Sequence, residues 1–157
     1  MRIRLLLCAA LLAVVCGCSG TESYFRLDEW GQGWKLQIDE KDGRAFEAKW
    51  VKGDNTSMKL VNYHSGGPGG DFTIINTLFL ELDGKGNVRN GRLRRVVTTG
   101  FDEATAREKG AQWFRVLQGW ARVDGQGRGK LEVRCEGDFE FAGNIEPMDG
   151  LEITRPK

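Results

Sequence analysis

The chain has almost none of the residues that build catalytic and metal centres. His64 is its only histidine, and no His-x-His, His-Glu-x-x-His or Cys-x-x-Cys spacing occurs. That excludes the usual zinc arrangements and leaves no partner pattern for a catalytic triad. A membrane-spanning helix needs about twenty apolar residues, whereas the longest run, Leu5–Val15, has eleven. An excess of one charge is also missing, since 23 Lys and Arg face 22 Asp and Glu. Such a balanced, interspersed surface excludes a nucleic-acid binder held by bulk electrostatics and gives no general pull toward anionic lipid. The Gly-rich stretch Ser65–Gly70 lacks the Gly-Lys-Ser/Thr ending of a phosphate-binding loop. Asp83, Asn87 and Asp124 sit in short Asp-Gly turns without the ligand series of an EF-hand. No cofactor and no metal are expected.

What is present begins with a leader. Arg2 and Arg4 precede the apolar run Leu5–Val15, and Cys16, Gly17, Cys18 and Ser19 follow it. A basic start, a short apolar run and a small-residue end describe a secretory signal. Within it, Val15-Cys16-Gly17-Cys18 resembles the bacterial lipobox. The resemblance implies that Val15 is the aliphatic residue, Gly17 the small residue before cleavage and Cys18 the lipid acceptor. It implies a diacylglycerol on the Cys18 sulfur and a membrane partner reached through that anchor. One myristoyl chain binds only marginally and each buried methylene adds about 0.8 kcal/mol, so two or three chains hold durably. In Gram-negative lipoproteins an Asp after the cysteine marks inner-membrane retention; Ser19 stands there instead, which points to the outer membrane.

The expected organisation is therefore a signal peptide over 1–17, a lipidated tether over 18–23 and one β-rich domain over 24–157. The tether Ser19–Ser23 reaches only about 17 Å when extended, so the domain is expected to ride close to the bilayer. Cys8 and Cys16 leave with the leader, which leaves Cys135 as the only unmodified thiol and no intrachain disulfide. The 140 residues that remain suffice for one core.

The body reads as strands separated by Gly-rich turns. Trp34, Leu36 and Ile38 alternate with Lys35, Gln37 and Asp39, and Phe46, Ala48 and Trp50 continue that pattern across a turn. Further strands are expected at Thr56–Tyr63, at Phe72–Leu82, which is apolar on both faces, and at Val88–Thr99. Phe101–Lys109 is the helix candidate, with Asp102 as cap and Gly110 as stop. Gln112–Val123 fits helix or strand and is assigned as strand. Lys130–Phe141 alternates without a break, and Leu151–Thr154 offers a last short strand. About eight strands with short connections imply an all-β antiparallel meander, closed as a small barrel or folded as a two-layer sandwich, with one short helix. Two turns, Leu82-Asp83-Gly84-Lys85-Gly86 and Val123-Asp124-Gly125-Gln126-Gly127, resemble each other.

Candidate contact residues are few. Trp34 and Trp50 fall on expected inward faces, whereas Trp30 and Trp120 are candidates for an exposed platform that takes a sugar ring or a partner protein. Arg92 and Arg94 share a strand face and could meet head-group phosphates; the same charges also suit an edge strand that resists aggregation. Cys135, on an apolar face, reads as a buried thiol, and His64 as an exposed loop residue. These features imply a non-enzymatic envelope lipoprotein that serves as a binding or structural module. The body is also similar to lipocalin-like barrels in strand count and size, although Gly33 stands directly before Trp34 where those barrels carry Gly-x-Trp. A small-ligand carrier, and a protein inhibitor or assembly accessory with an envelope protein partner, are the alternatives.

Overall fold

A computed structural model describes residues 23–41, 45–66, 72–98 and 110–153. Cys18 and the leader, the Gly-rich loop after Gly66 and the helix expected over Phe101–Lys109 lie outside the described residues.

Among the described residues seven strands follow in chain order: β1 (Tyr24–Lys41), β2 (Ala45–Gly66), β3 (Phe72–Leu82), β4 (Val88–Thr98), β5 (Gln112–Val123), β6 (Gly129–Cys135) and β7 (Phe139–Pro147). Each pairs antiparallel with the next, and β7 returns to β1 to close a barrel. An odd number of strands in an up-and-down meander leaves the first and last running the same way. The seam is accordingly parallel and short, Tyr24–Leu27 against Asn144–Pro147. The Met148 N–H extends it by donating to the Leu27 carbonyl at 3.1 Å.

Alternation fills the interior. Phe25, Leu27, Leu60, Leu78, Leu80, Leu93 and Ile145 are fully buried there, joined by Leu131, Val133 and Cys135. Burial of each such side chain contributes roughly 1.5–3 kcal/mol. The opposite face of β3 is buried as well, with Ile75 packed on Val61 and Val96 outside the wall. The two-faced apolar reading of Phe72–Leu82 therefore holds, as does the strand assignment of Gln112–Val123.

Two expected strands differ. Lys130–Phe141 is not continuous: it turns back on itself at Glu136–Asp138, where Gly137 and Asp138 take positive φ. Cys135 pairs with Phe139 across that turn. A three-residue loop shifts the count by an even number, so inward parity survives the reversal and the alternation cannot reveal it. Leu151–Ile153 forms no strand; Leu151 and Ile153 pack on the core cluster as a coil. The barrel thus has seven strands rather than eight, and β2 unites the stretches around Phe46–Trp50 and Thr56–Tyr63 that were expected as separate strands.

The two resembling turns share one structure. Asp83 Oδ1 accepts from the Lys85 and Asn87 N–H groups at 2.8 and 2.9 Å, and Asp124 Oδ1 accepts from Gln126 and Arg128 at 2.7 and 3.1 Å. Gly86 and Gly127 take φ of 83° and 78°, the left-handed residue that completes this hairpin type. Both carboxylates are engaged by backbone N–H groups.

Candidate functional site

β1 and β2 are longer than the barrel wall. Tyr24–Gln32 and Thr56–Gly66 belong to the wall, whereas Trp34–Lys41 pairs only with Ala45–Lys52 among the described residues. The excess forms a two-stranded arm at the end of the barrel opposite Tyr24. Its root is a large bulge: Gln32 faces Thr56, and the next pair is Trp34 with Lys52. Gly33, at φ 75°, stands opposite Gly53, Asp54 and Asn55. Side chains fasten the bulge to the wall, with Ser57 Oγ donating to the Trp34 carbonyl at 2.5 Å and Asn55 Nδ2 donating to Glu81 Oε1.

Three tryptophans meet at this root. The Trp34 indole lies over Gly31, where a Cβ would stand 2.7 Å from Trp34 Cδ1. Trp50 Nε1 donates to Glu29 Oε2 at 2.7 Å, which fixes that ring against β1. Trp30 leans on the barrel core, and its Nε1 is buried without a hydrogen-bond partner. Together with Glu29, Gly31 and Ser57 they line an open cleft of about 220 Å³. Trp34 is 36 % exposed. The expectation that Trp34 and Trp50 lie in the core is thus corrected: beyond the bulge at Gly33 they meet Glu29, Gly31 and Ser57, which alternate with the core-facing Trp30 and Met58, so the two indoles pack against the outer side of the wall. Leu36 alone is deeply buried among the described arm side chains.

The other candidates lie apart. Trp120 is on the outer wall, its ring covered by the Arg122 guanidinium at 4.8 Å, and it lines a groove of about 480 Å³ with Glu132 and Arg134. Trp30 and Trp120 therefore do not form one platform. Arg92 and Arg94 share the outer face of β4, in register with Phe79 and Thr77 of β3. β4 has a neighbour on each side, so the edge strand imagined for them does not exist. Arg94 is buried and Arg92 half-buried. Cys135 is 1 % exposed, and burial, with the Glu136 charge added, pushes its thiol up to about 12. His64 is exposed at the end of β2. Among the described residues no three His, Cys, Asp or Glu side chains gather as a metal site.

Sequence reasoning missed Trp34 and Trp50 as surface residues. The signal was Trp30-Gly31-Gln32-Gly33-Trp34: one glycine makes room for an indole, and the other breaks the register that would have kept β1 in the wall. Comparison of the chain with protein-family models, curated proteins and solved structures finds no match.

Proposed function

We propose that the chain is a lipid-anchored envelope protein that acts as a non-enzymatic binding module, held to the outer membrane through Cys18 and presenting the tryptophan cleft to a partner protein. The observation that carries this reading is the placement of the cleft. β1 starts at one end of the barrel at Tyr24 and enters the arm at the other. An anchor just before Tyr24 sets the cleft, whose lining runs from Glu29 to Trp34, away from the bilayer by roughly 15–30 Å of strand, at about 3.3 Å per residue.

The lining supports a protein rather than a sugar. Glu29 is engaged by Trp50 and Ser57 by the Trp34 carbonyl, so few polar groups remain for hydroxyls. Rigid indoles around a small apolar cleft suit one anchoring side chain of a partner. The filled interior supports a module over a carrier with a central chamber, because Phe25, Leu60, Leu78, Leu93, Val133 and Ile145, from strands around the barrel, pack in one buried cluster.

Two measurements test the proposal. Cys18→Ser moves the protein from the membrane fraction into the soluble envelope fraction; retention on membranes after a salt wash overturns the anchor. A photo-cross-linking residue at Lys52, exposed and paired with Trp34 across the arm, captures one dominant envelope protein in intact cells, and Trp34→Ala abolishes the product. Capture that is unchanged by Trp34→Ala overturns the cleft as the contact.

A further inference from the structure

The barrel interior changes character abruptly toward the Tyr24 end. Register places Leu60, Leu78, Leu93 and Phe114 in one inward row. Two residues further along each strand, the next inward row is Asn62, Asn76, Arg95 and Gln112. A guanidinium and two carboxamides thus replace leucines inside the wall. They open into a pocket of about 510 Å³ at the barrel mouth, flanked by Tyr24, Ile74 and Phe141.

The polar groups of this mouth are only partly satisfied. Arg95 Nη1 donates to Asn76 Oδ1 at 3.2 Å, and the guanidinium lies 5.0 Å from the Phe139 ring centre. Arg95 forms no ion pair with a described carboxylate, and a guanidinium has five N–H donors. Asn76 is 4 % exposed and accepts through Oδ1, which leaves its Nδ2 as a donor. Asn62 Nδ2 is taken by the Tyr24 carbonyl at 2.8 Å. Glu140 reaches the rim, but Arg134 lies 3.7 Å from its carboxylate. The mouth therefore offers a cation and an amide donor beside an aromatic and aliphatic wall, one inward row beyond the leucines.

We propose that this mouth binds the anionic group of a small amphiphile, a phosphate or carboxylate on a short apolar chain. Arg95 and Asn76 Nδ2 take the anion, and Tyr24, Ile74 and Phe141 flank the apolar part. Charge-assisted donors in a half-buried setting favour an anion, and the volume lies within the range of small-ligand sites. The site is independent of the tryptophan cleft, which stands at the other end of the barrel.

Calorimetric titration of the full chain with octyl phosphate, inorganic phosphate and octanol tests it. Octyl phosphate binds more tightly than either fragment, and Asn76→Asp, which sets a carboxylate against Arg95 at nearly constant shape, weakens it at least tenfold. Arg95→Gln gives the same loss, and unchanged thermal unfolding of either variant shows that the fold persists. Octyl phosphate binding no better than octanol, or equally well to a folded Asn76→Asp, overturns the proposal. The source of the anion is read separately by mixing the Cys18→Ser chain with phosphatidylglycerol vesicles. Flotation that Asn76→Asp abolishes assigns a bilayer head group, and absence of flotation alongside octyl phosphate binding assigns a free amphiphile.

Discussion

β1 and β2 pass through two environments without a break in their pairing. Inside the barrel, Leu27 and Leu60 face an interior enclosed all round and are 0 % exposed, whereas Trp34, beyond Gly33 on the same strand, is 36 % exposed. Both stretches are antiparallel ladders with the same alternation. The difference lies in the second neighbour: β7 flanks β1 and β3 flanks β2 in the wall, while the described arm residues pair only with each other. Two-stranded ribbons are marginal alone, so the arm depends on its root, where Ser57 and Asn55 tie the bulge to the wall. Closure makes the barrel a folding unit, and its absence leaves the arm's indoles available for contact.

The largest effect should come from the wall. Leu78 is fully buried in the middle of β3, and Leu78→Ala should cost about 2–5 kcal/mol, the range for leucine truncation in a core. Chemical denaturation measures it, and alkylation of Cys135 gives a second readout. That thiol is 1 % exposed and protonated at physiological pH, so it reacts only when the barrel opens. Rapid labelling in the variant, with the unmodified chain inert, separates wall damage from arm damage.

A smaller effect should come from the seam. A Cβ on Gly143 would stand 2.0 Å from the Ser23 carbonyl oxygen, so Gly143→Ala must push β1 from β7. Overpacking of this kind costs about 1–3 kcal/mol. Amide exchange at Tyr24–Leu27 should accelerate while the arm amides keep their rates. Unchanged exchange at the seam would mean that β1 is held by β2 alone.

Smaller still is the effect of Trp34→Ala on folding. The site is half open, so the loss should stay near the centre of the range for point substitutions, about 1 kcal/mol. The denaturation midpoint should fall only slightly while partner capture is lost. A large destabilisation would erase the distinction between wall and arm, because it would make Trp34 a core residue in energetic terms.

The sequence disclosed the wall better than the arm, for a reason visible in particular residues. Leu78, Leu80 and Leu82 alternate, and so do Trp34, Leu36 and Ile38; parity does not show that the bulge at Gly33 sets Trp34 over the outer side of the wall. The same blindness hid the reversal at Glu136–Asp138, where an even shift preserved the inward positions of Cys135 and Phe139. Arg95 alternates with Arg94 and so takes the opposite face of β4 from Arg92 and Arg94. Its role at the barrel mouth needed the register that brings Asn62 and Asn76 beside it. Turns were the most legible local feature, since Asp-Gly-x-Gly encodes both the acceptor and the left-handed residue.

Those turns close the wall at the arm's end, and they supply the mildest test of the comparison. In Asp83 the backbone N–H of Asn87, then its side chain, and also the backbone of Lys85 hold the carboxyl below the ordinary 3.8. Asp124 is lowered chiefly by the Gln126 N–H and then by the Arg128 N–H. A carboxyl whose pKa is depressed by folding contributes stability above its unfolded value, and loses that contribution as pH falls through the folded value. The amide resonances of Lys85, Asn87, Gln126 and Arg128 should therefore shift together on acidification, with midpoints below 3.8. Resonances of Leu78 in the wall should stay fixed in that window, and Asp83→Asn and Asp124→Asn should each silence only their own turn. Midpoints at or above 3.8 would show that the carboxylates are not held by the backbone in solution. Asp39 on the arm is lowered by a different cause, chiefly the Lys49 ammonium at 2.8 Å, an exposed contact that salt screens. Raising ionic strength should then move the Asp39 midpoint toward 3.8 and leave the two turns almost unchanged, because backbone N–H groups fixed by the wall persist where a surface ion pair on the arm does not.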